Sequence, residues 1–259
     1  MVNITINGKM VQAYEGEMLL AAIRRENIDI PALCHHEAVE PYGACRLCMV
    51  EITKDEWNGW KNHVTSCLYP VEEGLIVNTH TPTVMELRKT ILDLFLANSP
   101  NSTVVRKLAA EYGVTKTSYE EVPDGTDCIL CGLCTRICDK MGFSAISAVN
   151  RGHGKEIAPP LKEPPPDCVG CLSCAYICPT NYIKFEDNGF TRKIWGKTFK
   201  VLKCEKTGQP TITEEFAEYL STHRKIPQEY FKVNDLAHRK ELALKMGQIT
   251  NWGREEPKS

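Results

Sequence analysis

Several signatures of common chemistry are missing from this chain of 259 residues. It has no Gly-x-Gly-x-x-Gly dinucleotide fingerprint and no phosphate-cradling loop. No nucleophile–base pair stands out, so the chain offers no catalytic residue of its own. Charge of one sign is scarce. Thirty-one Lys and Arg face 33 Asp and Glu, a formal net charge of −2 that supplies no field for nucleic acid or an acidic membrane surface. Long apolar runs are also lacking, and stretches such as 91–97 fall far short of the roughly 20 residues a membrane span needs. Met1 leads straight into an alternating strand pattern rather than a signal sequence, and Arg24-Arg25 sits in a helical stretch rather than an export signal.

What is plentiful is cysteine, with 13 in all. An odd total, bunched at gaps of two and three residues, does not read as a disulfide framework. It reads as thiolate ligands kept reduced, and the expected location is cytoplasmic.

The pattern along the chain predicts an α+β protein. Val2, Ile4 and Ile6 alternate, Asn7-Gly8 marks a tight turn, and residues 10–14 return as a second strand. A helix is expected over 17–26 with Leu19, Leu20 and Ile23 inward, then strands at 49–53 and 75–77. This order suits a small β-grasp domain. Thr83 and Glu86 read as a capping box opening a helix with Val84, Leu87, Ile91, Leu94 and Phe95 at helical spacing. Asn98-Ser99-Pro100-Asn101 breaks it, and a second helix is expected over 103–112. Val122-Pro123-Asp124-Gly125 reads as a turn into the next unit, 126–200, which carries an internal repeat: a dense cysteine run and then a β-like segment, at 145–149 and again at 182–186. Pro159-Pro160 and Pro164-Pro165-Pro166 stiffen the connection between the halves. The tail beyond about 205 is charged, balanced in sign and partly helical, and serves either as a solvated surface or as a docking segment.

Three ligand constellations emerge. Cys34, Cys45, Cys48 and Cys67 supply four thiolates, as two irons bridged by two sulfides require, and Gly43 and Ala44 leave room for backbone amides to approach the sulfides. A zinc site is the alternative, although zinc sites usually pair two short motifs and only one is present. Cys128, Cys131, Cys134 and Cys138 form C-x2-C-x2-C-x3-C, and Cys168, Cys171, Cys174 and Cys178 repeat it, closed by Pro179. In the two-cluster ferredoxin run the fourth cysteine serves the other cubane. One [4Fe–4S] cluster is therefore assigned Cys128, Cys131, Cys134 and Cys178, and the other Cys138, Cys168, Cys171 and Cys174. The first run ends in Cys138-Asp139, without the proline. Cys204 stands apart and reads as a free or buried thiol, and His35 and His36 as solvated or hydrogen-bonding neighbours of Cys34. His153, between glycines, reads as part of a turn.

From Ile30-Pro-Ala-Leu-Cys34 through Gly43-Ala-Cys-Arg-Leu-Cys48, and again along the helix that starts at Leu87, the sequence resembles the N-terminal region of the large peripheral iron–sulfur subunit of respiratory complex I. The same region occurs in the diaphorase small subunit of NAD-reducing hydrogenases, in [FeFe]-hydrogenases and in NAD-dependent formate dehydrogenases. The resemblance spans about residues 1–200. It implies a β-grasp [2Fe–2S] ferredoxin domain (1–80), a helical linker (81–122) and a bacterial two-[4Fe–4S] ferredoxin-like domain (123–204); residues 205–259 are expected to form a C-terminal extension beyond it. Relatives carry a histidine and three cysteines for a further cluster after the linker helix. Here Ser99 stands at the histidine position, so that cluster is expected to be absent.

The expected function is that of an electron-transfer subunit, with one [2Fe–2S] and two [4Fe–4S] clusters and no flavin or nucleotide of its own. Its expected partners in a hetero-oligomer are a flavoprotein that oxidises NAD(P)H and a catalytic subunit of the hydrogenase or formate dehydrogenase type, or ferredoxin. A free-standing ferredoxin is the main alternative. A redox sensor would need an effector module that the sequence lacks, and the cysteine gaps do not fit a succinate dehydrogenase-type subunit.

Overall fold

The computed structural model describes residues 1–122 and 125–251, so Pro123 and Asp124 of the expected turn lie outside the described residues. The chain divides into two compact units, 1–158 with 173–183, and 159–172 with 184–259.

In the first unit, β1 (Val2–Ile6) and β2 (Lys9–Ala13) form the expected hairpin, with Asn7 and Gly8 both at positive φ (49° and 81°) as a twist-matched two-residue turn requires. Helix α1 (Leu19–Arg25) follows, then β3 (Met49–Thr53), β4 (Asn62–Thr65) and β5 (Ile76–Asn78). The sheet order is β2-β1-β5-β3-β4, with β1 and β5 parallel and the remaining pairs antiparallel. Alternation along β1 sends Ile4 and Ile6 into a core with Val50, Ile52 and Val77, and α1 adds Leu19, Leu20 and Ile23.

Helix α2 (Pro82–Asn98) starts slightly earlier than the capping box suggested. Thr81, not Thr83, is the N-cap; its hydroxyl accepts from the Val84 N–H, and Pro82 occupies the first helical turn. Its buried stripe is Val84, Arg88, Leu92 and Leu96, whereas Leu94 is exposed. The apolar spacing misled because a charged residue takes an inward position. Helix α3 (Thr103–Glu111), capped by Ser102, packs against α2. Helix α4 (Leu133–Met141) is bounded by left-handed Gly132 and Gly142, β6 (Ser147–Val149) pairs with β7 (Glu156–Ala158), and the short α5 (Ser173–Tyr176) packs on α4.

The second unit holds an antiparallel sheet of β8 (Phe185–Asp187), β9 (Thr191–Ile194), β10 (Lys197–Lys203) and β11 (Pro210–Thr213), followed by α6 (Glu214–Arg224) and α7 (Asp235–Asn251). Strands β9 to β11 were not expected. They are short, β9 and β10 are interleaved with lysine and β11 with threonine, and only inward positions such as Ile194, Phe199 and Val201 are apolar and buried. The Trp195-Gly196 pair, both at positive φ, turns β9 into β10. No helix among the described residues is long and apolar enough to cross a membrane.

Candidate metal centres

The first constellation lies on the loop between α1 and β3 and just beyond β4. All four cysteines are buried. The Cys34 thiol lies within hydrogen-bond reach of those of Cys45 and Cys67, and the Cys48 thiol reaches Cys67. The four sulfurs therefore converge. Positive φ at Gly43 (71°) and Arg46 (60°) curls the loop, and the Cys45 N–H donates to the Cys34 sulfur at 3.4 Å. At Gly43 the positive φ disfavours any other residue, while a Cβ there would meet only the movable end of the exposed Leu68 side chain. S–H donors from Cys45 and Cys67, with the Cys45 and Ala44 N–H groups, pull the Cys34 thiol far down; Cys45 and Cys67 are pushed up in return. Mutual repulsion opposes ionisation of all four thiols together, and bound iron would supply the compensating positive charge.

The surroundings fix this loop. Ser66 donates to the Cys48 carbonyl through its hydroxyl at 2.8 Å and its N–H at 3.1 Å. Arg88 reaches from α2 to donate to the Leu47 carbonyl at 3.0 Å and the Met49 carbonyl at 2.8 Å, on either side of Cys48. His35 pairs with Arg24, and the His36 ring accepts from the Ala38 N–H. These are hydrogen-bonding roles, as expected.

The second constellation opens at the end of α2. Burial pushes Cys131 up to about 11 and Cys134 up to about 12, and the charges of Cys128 and Cys178 add to both. Cys178, from the second run, thus lies within electrostatic reach of Cys128, Cys131 and Cys134. The Cys128 sulfur accepts from the Leu130 N–H at 3.4 Å and the Cys138 sulfur from the Ala145 N–H at 3.3 Å. Both runs repeat one backbone shape. The residues before and after the second cysteine have positive φ, Leu130 (53°) and Gly132 (69°) in the first run, Gly170 (68°) and Leu172 (63°) in the second. Successive left-handed residues turn backbone N–H groups toward one side, a concavity suited to an anionic group.

Cys138 and Cys174 belong to the first unit and Cys168 and Cys171 to the second. Within the second unit, Lys197 donates to the Cys168 carbonyl at 2.8 Å, Arg192 to the Gly170 carbonyl at 2.8 Å, and Thr213 to the Val169 carbonyl. The unexpected strands therefore brace this ligand loop. Cys204 is buried apart from these sets. Burial pushes its thiol up, but the Thr207 hydroxyl and the N–H groups of Asn234, Lys206 and Thr207 hold it down to about 7.

Three further residues escaped the motif reading. Ser99, buried at the end of α2, donates through its hydroxyl to the Cys128 carbonyl at 3.1 Å, and Asn98 donates to the same oxygen at 3.4 Å. Arg136, on α4, donates to the carbonyls of Cys34 at 2.9 Å and Cys131 at 3.4 Å, and its guanidinium lies 5.2 Å from the Tyr42 ring centre. One side chain thus touches the backbone of both constellations. Arg88 is the third. No spacing rule marks them, because each acts on a partner distant in sequence.

Converging thiols in a curled loop over a mixed sheet form a thiolate site of the kind that holds an iron–sulfur cluster. Residues 1–82 match the 2Fe-2S iron-sulfur cluster binding domain family. The chain is similar to the NADP-reducing hydrogenase subunit HndD of Solidesulfovibrio fructosivorans, 30% identical over 211 residues that cover 70% of this chain and 35% of that protein. It is similar to the NADPH-Fe(3+) oxidoreductase subunit alpha of Geobacter sulfurreducens, at 30% over 79% of this chain and 26% of the relative. The NADH-ubiquinone oxidoreductase 75 kDa subunit of Reclinomonas americana is 26% identical over 75% of this chain and 31% of its own length. The chain therefore spans only about a third or less of these curated relatives. A crystal structure of an NAD+-reducing [NiFe]-hydrogenase in the H2-reduced state superposes with a TM-score of 0.54, at 26% identity, over 61% of this chain and 74% of that one.

Proposed function

We propose that this chain relays single electrons through one [2Fe–2S] and two [4Fe–4S] clusters. The donor is a flavin-bearing subunit that oxidises NAD(P)H, and the acceptor is a catalytic subunit of the hydrogenase or formate dehydrogenase type, or ferredoxin. The observation that carries this reading is the convergence of four buried thiols in a domain of the 2Fe-2S family, with Cys34 electrostatically in reach of Cys131 in the next constellation. Cys34, Cys45, Cys48 and Cys67 hold the [2Fe–2S] cluster in a β-grasp domain (1–80). Beyond a helical linker (81–122), a ferredoxin-like domain (123–204) holds one cubane on Cys128, Cys131, Cys134 and Cys178. The second, on Cys138, Cys168, Cys171 and Cys174, rests on the repeated spacing. Residues 205–259 are a docking extension. Bound clusters supply outer-sphere one-electron transfer; the chain's own residues hold, space and electrostatically bias them. Thiolate ligands favour a reducing compartment, the cytoplasm, as its location.

Anaerobic purification from native cells, with identification of the co-purifying chains and assay of flavin, iron and sulfide, tests this. About ten irons per chain and stoichiometric recovery with a flavoprotein and a catalytic subunit are expected. A lone monomer that still passes electrons would replace the subunit reading with that of a free ferredoxin.

A further inference from the structure

Arg88 is fully buried, on the inward stripe of α2 between Val84 and Leu92. Its Nε and Nη2 are committed to the Leu47 and Met49 carbonyls, and its Nη1 has no hydrogen-bond partner. Burial acts most strongly on it; the groups facing it are the Tyr112 hydroxyl, close enough to interact with the guanidinium as a hydrogen-bonding neighbour, and the Cys48 thiol, and no carboxylate is among them. Its positive charge also reaches His80, adding to the burial that lowers that imidazole.

A buried guanidinium without a counter-charge is costly, because it gives up hydration without an opposite charge to replace it. Helix propensity does not require arginine here, since Leu or Met would complete the stripe. Two carbonyl acceptors do not neutralise a cation. An oxidised two-iron, two-sulfide cluster with four thiolates carries roughly two negative charges, and roughly three once reduced. Such a group held by Cys48 would provide the missing anion; the attraction would grow on reduction because the group gains a negative charge, and surroundings poor in water would screen it little.

We infer that Arg88 is the fixed counter-charge of the [2Fe–2S] site, a positioning residue that raises its reduction potential through its charge and holds the Cys45–Cys48 loop through its two donors. This rests on the functional reading above. Nothing is transferred to or from Arg88; it biases the one-electron step by favouring the more negative state.

The test is an EPR-monitored redox titration of the full chain purified anaerobically, unmodified and as Arg88→Lys and Arg88→Gln. Lysine keeps the charge and loses the fork; glutamine keeps a donor and loses the charge. A reduction equilibrium weakened at least about tenfold in Arg88→Gln, equivalent to a midpoint lowered by about 59 mV, with Arg88→Lys close to the parent, is expected. Equal midpoints in all three chains, or equal shifts in both variants, would overturn it. Should Arg88→Gln not assemble the cluster, Arg88→Lys decides: assembly at the parent midpoint supports the charge role, and failure to assemble reduces Arg88 to a structural clamp and overturns it. Absence of any [2Fe–2S] signal from the unmodified chain would refute the functional reading instead.

Discussion

Gly170 and Gly132 occupy mirrored places in the two cysteine runs, one before and one after the second cysteine, and their surroundings differ. A Cβ on Gly170 would lie 2.8 Å from Cδ2 of Phe199 and 3.1 Å from Cγ2 of Thr213, at a backbone φ of 68°. A Cβ on Gly132 would meet nothing closer than 3.8 Å. Gly170→Ala is expected to cost about 2–4 kcal/mol, overpacking added to left-handed strain, and Gly132→Ala about 1 kcal/mol from strain alone. Denaturant unfolding of the two loaded variants checks both the order and the gap. At this scale the cysteines were readable because their spacing is local. Arg88, Arg136 and Ser99 were not, because their meaning comes from carbonyls that the fold delivers from 29 or more positions away.

Helix α2 illustrates what element-level patterns miss. Its existence and its end at Asn98 followed from apolar spacing and the Asn-Ser-Pro break. Its start and inward face did not, since Thr83–Glu86 imitates a capping box while Thr81 does the capping. Thr81→Ala is expected to lower stability by about 1 kcal/mol and Thr83→Ala by a few tenths at most, measured as midpoints of thermal unfolding. Strands β9 to β11 were hidden for a different reason. A strand of four to seven residues interleaved with lysine or threonine carries too few apolar residues for its alternation to rise above a polar segment. Their register emerges only through pairing, and their function only through Arg192, Lys197 and Thr213, whose side chains meet the 168–170 backbone.

At the scale of the whole molecule, buried thiols would need a bound cation to hold them together as anions. The first unit buries Cys34, Cys45, Cys48, Cys67, Cys131, Cys134 and Cys174, and holds Arg88 with its Nη1 unpartnered. Removing iron with a chelator under reducing conditions is expected to lower the unfolding temperature markedly and to broaden the transition, as metal binding and folding are coupled. Calorimetry of loaded and stripped protein reads this directly, and an unchanged transition would show that the thiols pack as ordinary core. The division of the four C-x2-C-x2-C-x3-C residues of the second run between two compact units was not readable from spacing, which fixes chemistry but not the contacts that surround each loop.

Helix α2 is bonded near Cys48 through Arg88 and near Cys128 through Asn98 and Ser99. Ten residues of helix separate Arg88 from Asn98, a rise of about 15 Å. Electron tunnelling falls steeply with distance, so this segment acts as a gauge whose length is set by residue count rather than by residue identity. Its outward positions are open to substitution. A single inserted residue would advance one end by about 1.5 Å and rotate it by about 100°, taking either Arg88 or Ser99 off its carbonyl. An insertion or deletion here is therefore expected to disturb the sites at both ends more than a replacement would, although no cysteine lies within the stretch.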